Sequence, residues 1–143
     1  LFRSPRTAVH LVTVLEEMPV QETADGIAEL RAAGLPVGGV VVNLVRPRAL
    51  PEETVALAGA GRLDKEAVRA DLERVGVSTT KALVDGLAAE ARDHAERRAL
   101  EESQRALVQQ MGVPTYELER LAGGIDMGAL YDLAATMRDQ GLA

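Results

Sequence analysis

The sequence predicts an α/β fold in which helices pack on a small parallel sheet. Two runs, AVHLVTVL at 8–15 and GGVVVNLV at 38–45, are β-branched and almost unbroken in their apolar character. That is the signature of parallel strands covered on both faces. Between them Val20, Ile27, Leu30 and Ala33 recur at near-helical spacing. The core must be aliphatic, because Phe2, Tyr116 and Tyr131 are the only aromatic residues in the chain.

Each element can be justified in turn. The run at 8–15 is a strand, and the helix after it covers 19–34. Pro19 suits a first helical turn, Glu22 places negative charge near the positive end of the helix dipole, and Gly34 can close the last turn. GGVVVNLV returns as a second strand, so residues 1–48 form a βαβ unit with a right-handed crossover. Residues 49–112 are helical: 51–58, broken by Gly59 to Gly61; 64–75, with Asp64 as N-cap; and 80–111. The last would be on the order of 45 Å long, with Leu83, Leu87, Ala91, Ala95 and Leu107 on its packed side. Residues 113–143 supply a third strand at 113–118, where Pro114 removes a ladder donor and favours a strand start or an edge. A helix capped by Asp126 follows, with Leu130, Leu133, Ala134 and Met137 on one stripe. Three strands are few for a free-standing parallel sheet. The chain, which opens LFRSPR without Met, therefore reads as a fragment, the C-terminal portion of one larger domain.

Composition narrows the function. A formal net charge of −6 disfavours broad contact with a nucleic-acid backbone. No stretch approaches the roughly 18 apolar residues needed to cross a bilayer. The absence of cysteine removes disulfides, thiolate nucleophiles and cysteine-ligated metals, and suits a cytoplasmic setting.

Local motifs mostly have plain explanations. GVSTTK at 76–81 is not a phosphate-binding loop, which needs two glycines bracketing four residues and Lys directly before Ser or Thr. It reads as a helix junction capped by Ser78 or Thr79. His10 and His94 lack metal-ligand spacing and read as a half-buried strand residue and a solvated helix residue. EARDHAERRALEE at 90–102 reads as a solvated helix face with i,i+4 charge pairs. Glu16 and Glu17 end the first strand and Asn43 ends the second, and ligands of open α/β sheets bind outside those carboxyl ends. On position alone Asn43 is either a ligand contact or a support for the backbone of the following loop.

From Thr7 to Pro47, TAVHLVTVLEEMPVQETADGIAELRAAGLPVGGVVVNLVRP resembles the ArsA-like anion-transporting ATPases. That family includes arsenical pump-driving ATPases and those that target tail-anchored membrane proteins. Thr7 before the strand, Glu17 after it, Glu22 and Thr23 opening the helix, and Val41, Val42 and Asn43 closing the next strand carry the likeness by their order and spacing. VPTYELERLAGGIDMGALYDLA, from Val113 to Ala134, is similar more loosely to the family's last strand, loop and terminal helix. The resemblance implies a partial P-loop NTPase-like sheet, in which Asn43 reads the adenine edge of ATP and Thr115, Tyr116, Glu117, Leu118 and Arg120 wrap the base. Asn suits that task because its amide offers both a donor and an acceptor.

The family's glycine-rich loop, catalytic aspartate and magnesium-binding segments would lie before Thr7. No catalytic or metal-binding residue is therefore expected in this chain, nor ATP hydrolysis by it alone. The implied partners are the missing N-terminal NTPase portion, a homodimer or family-type dimer, and a cargo or membrane protein. Without a CxxC pair, zinc-bridged dimerisation is not expected. The rival reading is a non-enzymatic interaction module with a vestigial nucleotide pocket and a partner-binding long helix. A partition-type or septum-site ATPase shares the βαβ pattern but fits EEMPVQET less well.

Overall fold

The computed structural model describes residues 1–4 and 6–142. In chain order the elements are β1 (Val9–Thr13), α1 (Glu17–Ala32), β2 (Val37–Val45), α2 (Glu52–Gly59), α3 (Lys65–Arg74), α4 (Lys81–Gln110), β3 (Thr115–Glu119) and α5 (Met127–Asp139). The strands form one parallel sheet in the order β1-β2-β3, flanked by helices, so the expected α/β arrangement is present. The chain divides into two compact units, one of residues 1–47 with 101–143 and one of residues 48–100.

In the first unit the middle strand carries the core. Val40 and Val42 are fully buried on one face, with Leu15, Val20 and Ile27 from the β1–α1 segment and Val108 from the end of α4. Val41 points the other way, into Tyr116 and Leu118, against which Leu133, Met137 and Leu142 pack. Burying each such valine contributes about 1.5–3 kcal/mol. Pro19 sits in the first turn of α1, and the buried Thr23 hydroxyl donates to its carbonyl at 2.7 Å, so Thr23 is spent within the helix. Gly112, at φ 66, lets the chain leave α4 and turn directly into β3. Pro114 lies just before β3, an edge strand, and its carbonyl accepts from Val40 N–H at 2.8 Å.

Several details depart from the periodicity reading. β1 is not covered on both faces: Leu11 and Thr13 point inward, but Val12 is 66% exposed and His10 is exposed rather than half-buried. The last strand starts at Thr115, after Pro114 instead of before it. On α5, Leu133 and Met137 reach the sheet, whereas Leu130 and Ala134 are exposed, because the sheet-facing stripe is narrower than the apolar pattern.

In the second unit Asp64 caps α3 by accepting from Glu66 and Ala67 N–H. Thr80, not Ser78 or Thr79, caps α4: its hydroxyl accepts from Leu83 N–H at 3.1 Å, while Thr79 donates to Glu73. The buried side of α4 here is Val84 and Ala95, whereas Leu83 and Leu87 are 38% and 41% exposed. Ala95 lies close to the end of α2, where a Cβ added at Gly59 would be 3.4 Å from its own. His94 is half-buried, not solvated. Asp85 accepts from Lys65 at 2.7 Å and Lys81 at 2.6 Å, joining the start of α3 to α4. These hydrogen bonds lower its pKa to about 2.

Two predictions follow from this packing. A Cβ on Gly39 would lie 2.7 Å from the Pro114 carbonyl and 3.0 Å from the Tyr116 ring. Gly39→Ala is therefore expected to cost about 1–3 kcal/mol in denaturant unfolding, through the β2–β3 pairing. Because the folded pKa of Asp85 is depressed, its contribution is full above the unfolded value of 3.8 and disappears as pH falls through about 2. Asp85→Asn should lower the melting temperature near neutral pH, and its difference from the parent should shrink as pH falls below 3.8 and vanish only below about 2.

Candidate functional site

The carboxyl end of β2 is built on an irregularity. Val42 is paired with Glu117 and Val45 with Glu119, so Asn43 and Leu44 together stand opposite the single residue Leu118. This is a bulge, and Leu44 takes the extra residue's strain at φ 59, a left-handed conformation that costs a leucine roughly 1–2 kcal/mol. The bulge resets the period-two alternation. Val45 thereby joins Val40 and Val42 in the core, where unbroken alternation would have brought Leu44, now 55% exposed.

Alternation from Val41 puts Asn43 on the face that α5 covers further down the strand. The Asn43 side chain is half-buried, and its Oδ1 accepts from Leu44 N–H at 2.9 Å. Its Nδ2 makes no hydrogen bond among the described residues. The backbone-support reading of Asn43 is thus satisfied through the oxygen, and a two-proton donor is left over at the end of the middle strand.

The other residues expected around a base are only partly gathered there. Arg120 is close: its N–H donates to Val45 C=O at 2.8 Å, and its exposed guanidinium makes no ion pair among the described residues. Thr115 is paired with Val40, toward the amino end of the sheet, about three residues or 10 Å along the strand from Asn43. Tyr116 and Leu118 are each 8% exposed in the core beneath α5. Glu117 is held by Arg105 in a two-point contact, Nε to Oε1 at 2.7 Å and Nη2 to Oε2 at 3.2 Å. This hydrogen bonding raises the Arg105 pKa against the opposing effect of burial. Glu117 therefore fastens α4 to β3 and has little carboxylate capacity to spare. Sequence reading missed this pair, twelve residues apart on different elements, because no local spacing signals it.

A concavity of about 480 Å³ lies between α1 and the last turns of α4, lined by residues that include Glu17, Gln21, Gln104, Leu107 and Met111. It is on the Val40 and Val42 face and carries no cationic side chain among its lining residues, so it is unsuited to a polyphosphate. In the second unit, Lys81 of the GVSTTK stretch is bound to Asp85, in keeping with a helix junction. Among the described residues no helix is long and apolar enough to cross a membrane.

No family model matches the chain. It is, however, 39% identical over 142 residues to ATPase BagA of Mycobacterium tuberculosis (strain H37Rv). The same identity and span are found with Mb3704 of Mycobacterium bovis, whose name also carries the word ATPase. The match takes in 99% of this chain and 42% of each relative. The chain is thus related over almost its entire length to proteins named as ATPases, and it spans less than half the length of those relatives.

Proposed function

We propose that this chain is the base-recognising part of an ATP site in an ATPase of the ArsA-like kind. The observation that carries the reading is the Asn43 amide, fixed through its oxygen by Leu44 N–H and left with an unused donor at the carboxyl end of the middle strand. Adenine presents an acceptor ring nitrogen beside an exocyclic amino donor. Asn43 Nδ2 donates to the ring nitrogen, and the second lone pair of Oδ1 accepts from the amino group. Arg120 lies beside the end of β2, and its planar guanidinium forms one wall against the base. Thr115, Tyr116, Glu117 and Leu118 contribute through the strand that positions Arg120 rather than through their side chains.

The names of the relatives support ATP as the nucleotide. The phosphate-binding loop, the catalytic aspartate and the magnesium ligands come from the part of a relative-length protein outside this chain. In that complete protein, ATP binding and hydrolysis drive a conformational cycle across a dimer that takes up and releases a cargo or membrane protein. The share assigned to residues 1–143 is recognition, not phosphoryl chemistry.

The test is ATP affinity of the full-length protein. Asn43→Asp keeps an oxygen for Leu44 N–H but removes the donor, so the bulge survives while the base contact does not. A loss of about 1–3 kcal/mol, or roughly 5- to 150-fold in Kd, is expected, together with a weakened preference for adenine over guanine nucleotides. An Asn43→Asp protein with unchanged ATP affinity and selectivity would exclude the adenine contact.

A further inference from the structure

The concavity between α1 and the end of α4 lies wholly within the first unit. Glu17 opens α1, and Gln104 is one turn beyond Glu101, which Arg46 holds at 2.6 Å where β2 ends. Both residues therefore stand at the carboxyl end of the sheet. At the other end Arg31, in the last turn of α1, reaches Met111 C=O at 3.5 Å through its guanidinium. The two helices thus run in the same direction, and the seven residues from Gln104 to Met111 give a groove about 10 Å long.

The polar groups at its Glu17 end are acceptors without donors. Gln21 follows Glu17 by one turn on the same face, and its Nε2 donates to Asp25 Oδ1 at 3.0 Å, which leaves its Oε1 free. Gln104 Oε1 is buried and has no hydrogen-bond partner among the described residues. A buried acceptor in that state is costly unless something donates to it. The terminal torsion of a glutamine is soft, so this oxygen can turn to a donor entering the groove without movement of α4. The Glu17 carboxylate makes no ion pair among the described residues. Beside these groups the lining is apolar: Val20, 3% exposed, and Met111 both pack into the core, and Leu107 flanks them.

Three unpaired acceptors from two helices, one of them a full negative charge, match a cation with several donors. An ammonium has three and no acceptor of its own. We propose that this groove binds a small aliphatic monoamine, its ammonium held by Glu17, Gln21 and Gln104 and its alkyl chain laid over Val20 and Leu107 toward Met111. The volume of about 480 Å³ falls within the range of small-molecule sites, roughly 300–1,000 Å³. The cationic Arg31 at the far end disfavours a second ammonium, so a monoamine fits better than a diamine. A lysine of another protein carries the same group, but its four-carbon stem is shorter than the groove and would bring a polar main chain onto the apolar floor. The site does not depend on the ATP reading.

The experiment is titration of the full-length protein with pentylamine, read by calorimetry and by the methyl signals of Val20 and Met111. Saturable binding at about 1 mM or tighter is expected, with pentanol, which has the same chain and no charge, weaker by about tenfold or more. Glu17→Gln should weaken pentylamine binding by about tenfold. Gln104→Leu should also weaken it without lowering the melting temperature, since it removes a buried acceptor that the protein itself does not satisfy. Absent binding, binding no better than that of pentanol, or equal binding to the Glu17→Gln protein would overturn the proposal. So would a Gln104→Leu protein that melts lower and keeps its pentylamine affinity, which would make Gln104 structural. Tighter binding of cadaverine, the diamine of equal chain length, would overturn it too. Tighter binding of a lysine blocked at both main-chain ends would do the same and make a polypeptide the source of the ammonium.

Discussion

The first unit depends on one strand being buried on both faces. Val40 and Val42 look toward α1 and the end of α4, and Val41 looks toward α5, so both helical layers meet through three consecutive residues. A strand in that position has no solvated face on which a polar side chain is easily placed. The first residue to break the apolar run, Asn43, can do so only where the strand reaches its carboxyl end. There the extra residue restores Val45 to the core and gives the amide oxygen a main-chain donor.

The helices are tied to this sheet by polar contacts of unequal consequence. Arg105 grips Glu117 with two hydrogen bonds, and both side chains are at least two-thirds shielded from solvent. Arg46 donates to Glu101 at 2.6 Å, linking the exit of β2 to α4 residues of the same unit. Such partly shielded pairs, with fixed geometry, contribute more than exposed i,i+4 pairs such as Arg92 with Glu96. The helix-face reading of residues 90–102 thus holds for Arg92 and Glu96. Arg98 instead reaches Glu52, in a pairing across elements of the second unit.

Much of this architecture was legible in the residues. The β-branched runs located β1 and β2, Asp64 and Asp126 marked the starts of α3 and α5, and Pro114 marked the edge character of β3. What could not be read depends on neighbours distant in sequence. The exposure of Val12 follows from the absence, among the described residues, of a helix over the face of β1 opposite α1, which a strand's own composition does not encode. The burial of Ala95 turns on how closely Gly59 of α2 approaches α4. At the candidate site, Asn43 stood out as an amide in an apolar run. The core placement of Tyr116 and Leu118 was disguised because base walls and cores use the same residue types, and Gln140, whose side-chain amide bonds both Glu117 N–H and Glu117 C=O, had no local signal at all.

The left-handed backbone at Leu44 bears on how this segment tolerates sequence change. Valine, isoleucine and threonine pay the highest steric cost there, although each would suit an ordinary strand, while glycine and asparagine pay the least. Adjacent positions are thus under selection of different kinds: residue 43 for what its side chain can bond, and residue 44 for what its main chain can adopt. Among divergent homologues, glycine or asparagine at position 44 would preserve the bulge, whereas a β-branched residue there would mark a strand end rebuilt without it.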